Sequence, residues 1–73
     1  MDWSGCEVVE IVPGKVSGSP ILKGTRVQAD TVLESHKLGE SIEEIAYSFD
    51  LDADDVRRLL AFAESRQLAN SAR

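Results

Sequence analysis

A chain of 73 residues holds one domain and not two, and a domain this small buries only about 60% of its unfolded surface. Its single cysteine, Cys6, excludes an internal disulfide, and one histidine beside one cysteine excludes a structural zinc site, so oligomerisation is the remaining route to stability. Thirteen acids against eight bases leave a net charge of −5, which a phosphate backbone would repel on average.

The acidic N-terminus, MDWSGCEVVE, does not resemble a signal peptide, and residues 1–5 are expected to be flexible. Cys6 to Val12, CEVVEIV, has the β-branched content of a strand, and Pro13-Gly14 stops it. Cys6, Val8 and Val12 share one face with Glu10, while Val9 and Ile11 share the other with Glu7. Apolar groups on both faces fit either a marginal edge strand or one that pairs or exchanges with a second chain. The turn-rich KVSGSP leads into PILKGTRV, which reads as a short strand at Ile21-Leu22, a turn at Lys23-Gly24 and an extended piece at 25–27. A hairpin this short must lean on helices or on another chain.

The first helix is expected from Ala29 to Lys37, with Ala29, Val32, Leu33 and His36 spaced for one face and Gly39 just past its end. Ser41 and Glu44 form a capping box before a second helix, whose apolar stripe is Ile42, Ile45, Ala46 and Phe49. Asp50-Leu51 supplies a tight turn in which the acid tolerates left-handed backbone angles. Asp52 caps the third helix, Asp54 and Asp55 face the positive end of its dipole, and Val56, Leu59, Leu60 and Ala63 continue the stripe. Ala46 is the small residue where the last two helices cross. That helix is expected to reach about Arg66, leaving 67–73, QLANSAR, as a frayed tail and 6–66 as a single domain. The fold class is therefore α+β, mainly α: a short N-terminal β-hairpin plus a three-helix, homeodomain-like helix-turn-helix core.

At this point the chain resembles Domain of Unknown Function family 433. The resemblance rests on Gly18, Pro20, Gly24-Thr25-Arg26, Gly39, Ser41, Glu44-Ile45, Leu51 and Ala61-Phe62-Ala63, and it covers roughly residues 8–63. Phe49-Asp50 stands where members commonly carry Tyr-Pro, and the apolar-Pro-Val wording often found after the Arg segment is missing after Val27. The resemblance implies a dimeric hairpin-plus-three-helix domain. It also implies an antitoxin-like role beside a small nuclease toxin of the PIN type.

If the module reads DNA, the third helix is the recognition helix, with Asp52, Ala53, Asp54, Arg57 and Arg58 exposed near its start. Three acids in four residues oppose that use, and the favoured reading is that they cap the helix while Arg57 and Arg58 pair with acids. Residues 28–73 carry ten acids against five bases, whereas residues 1–27 balance. Candidate phosphate contacts are therefore also Lys15, Lys23 and Arg26 in the N-terminal part, presented twice by a dimer. Arg26 is favoured instead as a structural tie to an acid. Candidate partner or dimer contacts are Val9, Ile11, Ile21, Tyr47 and Phe62. Trp3, Tyr47 and Phe62 are aromatics that either anchor an interface or flank the core.

His36 is expected to be a partly buried core or interface residue, and Cys6 an inert buried thiol. No Gly-x-Ser-x-Gly elbow appears, the glycine-rich stretch lacks the phosphate-cradle order, and the acids read as caps and solvent faces. No enzyme activity, cofactor or metal is expected. The lone thiol fits a reducing compartment and no apolar run approaches a membrane span, so a cytoplasmic protein is expected. Its function is read as a small regulatory binding module, antitoxin-like, that blocks a toxin by protein contact and represses its own operon. The alternatives are a DNA-binding regulator without a toxin partner and a structural oligomerisation module.

Overall fold

The computed structural model describes the backbone of residues 1–71 and the side chains through residue 67. A two-stranded antiparallel hairpin, β1 (Val9–Glu10) and β2 (Ile21–Leu22), precedes three helices: α1 (Ala29–Lys37), α2 (Ile42–Phe49) and α3 (Ala53–Ser71). The protein is thus mainly α with a small β part. Val9 lies opposite Leu22 and Glu10 opposite Ile21, and Ile21 is bridged on its other side by Gln28 just before α1.

Local chemistry sets each helix end. The Ser41 hydroxyl accepts from the Glu44 N–H at 3.1 Å while the Glu44 carboxylate accepts from the Ser41 N–H at 2.9 Å, closing the capping box. α2 ends at Asp50 in the left-handed region (φ 56°), which lets the Leu51 N–H reach the Ala46 carbonyl at 2.8 Å. The Asp52 carboxylate accepts from the Asp54 N–H at 2.8 Å and starts α3. That helix continues through Ser71, past the expected end at Arg66; residues 72–73 of the expected frayed tail lie outside the described residues.

The core joins Val32 of α1, Ile45 and Ala46 of α2, and Val56, Leu59, Leu60 and Ala63 of α3 to Leu22 and to the N-terminal Trp3, Cys6 and Val8. This front end departs from expectation. Residues 3–8 coil rather than extend: the Cys6 N–H bonds the Trp3 carbonyl and the Val9 N–H bonds the Cys6 carbonyl. The strand shrinks to two residues because those turns drop Trp3, Cys6 and Val8 inward. Within residues 1–5 the Trp3 side chain is buried in the core, whereas Met1, Asp2, Ser4 and Gly5 are exposed. The Trp3 Nε1 donates to Asp30 at 2.9 Å, the ring stacks on Phe62 at 6.0 Å, and the Arg66 guanidinium lies over Phe62 and donates to the Ser4 carbonyl. Among the described residues no buried side-chain polar atom lacks a partner.

Candidate functional site

The segment from the end of α1 to the first turn of α3 collects charge of one sign. Between Leu38 and Val56 the chain carries seven acids and no lysine or arginine; the rest of it holds eight bases and six acids. The acidity of the whole molecule is therefore an acidity of α2, its caps and the first turn of α3. Of the seven, only Asp54 takes part in an ion pair among the described residues. Glu44 is held below the usual carboxylate range by the Ser41 backbone N–H and then by the Ser41 hydroxyl, so it stays charged.

The two arginines that follow are occupied. Arg57 reaches Asp54 at 3.1 Å, and Arg58 bonds Asp54 at 2.9 Å and Glu7 at 2.8 Å. Asp54 and then Glu7 hold the Arg58 guanidinium above its ordinary pKa. The pairing expected for these residues is present, and Glu7 adds a partner 51 positions away that helical spacing could not reveal. A duplex laid against the start of α3 would meet carboxylates first.

On the hairpin, Lys23 and Arg26 are exposed and Lys15 is half-buried, and none joins an ion pair among the described residues. Of the two acid ties expected for Arg26, at a helix start or across a dimer interface, the one within the chain is not formed among the described residues. Thr25 does that work: its hydroxyl donates to the Leu22 carbonyl at 2.8 Å and accepts from the Val27 N–H at 3.0 Å, leaving Arg26 pointing outward. Gly24, at φ 76°, makes the turn, and its N–H is held by the Glu10 carboxylate at 3.1 Å.

The expected interface residues separate into three kinds. Ile21 is fully buried within its own chain and offers no surface to a partner, a correction that follows from its place between β1 and Gln28. Val9 and Phe62 are half-buried and pack against the core, Phe62 beneath Trp3 and Arg66. Ile11 and Tyr47 stand out, 63% and 89% exposed. His36, expected to be a partly buried core or interface residue, is exposed on the single chain and so is not part of its core. It sits at the last turn of α1, beside an open groove that it shares with Leu33, Ile42 and Leu60, with Nδ1 3.3 Å from the Glu40 carbonyl. Cys6 is buried, and no group of three metal-ligating side chains forms among the described residues. No helix there is long and apolar enough to cross a membrane.

The family described as a protein of unknown function, DUF433, matches residues 9–63, most of the chain. The protein belongs to DUF433. The crystal structure of a DUF433 member protein from Anabaena variabilis ATCC 29413 superposes with a TM-score of 0.67 at 21% identity, covering 88% of this chain and 66% of that one. That likeness shows a shared fold, and this chain spans less than two thirds of its relative's length. No curated protein matches. In this DUF433 domain the Gly24-Thr25-Arg26 segment is the turn stapled by Thr25, and Ser41 with Glu44 is the capping box of α2. Phe49-Asp50, the departure from the family wording, closes α2 with the left-handed angles foreseen for Asp50. The contacts invisible to pattern reading are those of Trp3, Glu7 and Arg66, whose one sequence signal is a large aromatic placed ahead of the first strand.

Proposed function

We propose that this DUF433 domain is a small regulatory, antitoxin-like binding module of the cytoplasm that neutralises a PIN-type nuclease toxin by covering its basic nucleic-acid groove. The observation that carries the reading is the helix-turn-helix surface itself: seven acids uninterrupted by a base, six of them without an ion pair among the described residues. Such a surface mimics phosphate charge and accelerates encounter with a basic partner. Co-expression with the protein encoded beside the gene, followed by affinity capture, is expected to yield a complex that raised salt weakens. Absence of a complex at low salt would refute it.

A second reading has a specific support. Lys15, Lys23 and Arg26 on the hairpin join no ion pair among the described residues, and two copies would present six such bases to the operon's own DNA. Pairing of two copies along the free edge of β1, where Ile11 is exposed, would create that dimer. A mobility shift on operator-length duplex that falls steeply with salt supports this reading, and no shift at low salt rejects it.

A further inference from the structure

We infer that the outward face of α2, centred on Tyr47 and rimmed by Glu43, Glu44 and Asp50, is a docking surface for an arginine-rich segment of a basic protein. The inference rests on the reading above and places the contact on one helix. Positions 43, 44, 47 and 50 are spaced by three and four, so they share a face. The opposite face of α2 is buried, Ile45 completely and Ala46 to 8% exposure, so the core fixes which way this surface points.

Tyr47 is the most exposed large hydrophobic residue among the described residues, at 89%. The acids around it are uncompensated, since all five ion pairs of the described residues lie on the N-terminal arm, α1 and α3 and none on α2. Glu44 is already oriented by the capping box. An uncovered aromatic ring ringed by unpaired carboxylates is complementary to guanidinium more than to ammonium: the planar cation stacks on the phenol while its N–H groups bond carboxylates.

The test uses the full 15N-labelled chain titrated at low salt with octaarginine and, separately, octalysine. The expected result is amide shifts concentrated on residues 43–50, tighter binding of the arginine peptide, and loss of that preference in Tyr47→Ala. The substitution should weaken octaarginine roughly two- to fivefold and octalysine by less. Glu43→Gln should weaken both. Tyr47 is exposed, and an unchanged melting temperature verifies that the variants fold. Shifts centred on residues 52–58 or spread evenly, or a preference indifferent to Tyr47, overturn the placement while leaving the basic-partner reading standing. No binding of either peptide overturns that reading itself. Shifts at Tyr47 that grow with protein concentration alone assign the face to a second copy and overturn the proposal.

Discussion

Trp3 carries more of the fold than any other side chain near the N-terminus. It fills the core, donates to Asp30 and stacks on Phe62, so Trp3→Ala should cost about 3–5 kcal/mol and leave a domain this small largely unfolded. Trp3→Phe keeps a ring over Phe62 but loses the bond to Asp30 and part of the buried indole, about 1–3 kcal/mol. Urea unfolding followed by circular dichroism separates the two; equal midpoints for Trp3→Ala and the parent would deny the packed front end. At Ser41, removal of the hydroxyl in Ser41→Ala is expected to cost about 1 kcal/mol. The same residue governs the acid limb of stability. Because Glu44 is held below its ordinary pKa in the folded state, its contribution is present above the unfolded value and is lost as pH falls through the lower folded one. Asp2, held down chiefly by the Ser4 side chain and backbone, acts in the same direction. Stability should therefore be flat near neutrality and fall below about pH 4, and Glu44→Gln should make that fall shallower in melts taken between those limits.

At the scale of elements, α1, α2 and the start of α3 were legible in the sequence because their signals are local: Ser41 with Glu44, Asp50 in the turn, Asp52 before Ala53, and apolar residues three and four apart. The bounds of α1 and α2 match the pattern because capping and periodicity both act within one turn of the chain. The front end was not legible. Cys6 to Val12 has strand composition, yet burial of Trp3 against α1 and α3 outweighs β propensity and winds residues 3–8 into turns. His36 misled for a related reason, since periodicity gives the face of a helix and not where its neighbours stop. The site was half legible: the charge split and the exposed Tyr47 follow from sequence, but the occupation of Arg58 by Glu7 needed the folded chain. Ala46 tests the helix crossing. It is buried in the core that α2 shares with α3, so Ala46→Leu should overpack that core and cost about 1–3 kcal/mol in thermal unfolding, while the same change at exposed Ser48 should cost little.

Across the whole molecule, charge is segregated more sharply than its net value suggests. An acidic helix-turn-helix surface contrasts with a hairpin whose three bases join no ion pair among the described residues, and a single chain already closes its core over Trp3. A dimer then depends on surface rather than on missing core, and Ile11 at the free edge of β1 is the residue to challenge. Ile11→Lys is expected to return a monomer in sedimentation velocity at micromolar concentration, against a dimer for the parent; a parent that sediments as a monomer would remove β1 pairing from the account. The most direct measurement concerns the acidic face. Co-purified with the protein encoded beside it, the parent chain should hold a salt-sensitive complex that the double variant Glu43→Lys, Tyr47→Ala abolishes while Lys23→Ala leaves it intact. A complex indifferent to the double variant, or one lost with Lys23→Ala instead, would contradict the claim that this helix-turn-helix meets protein through its acids.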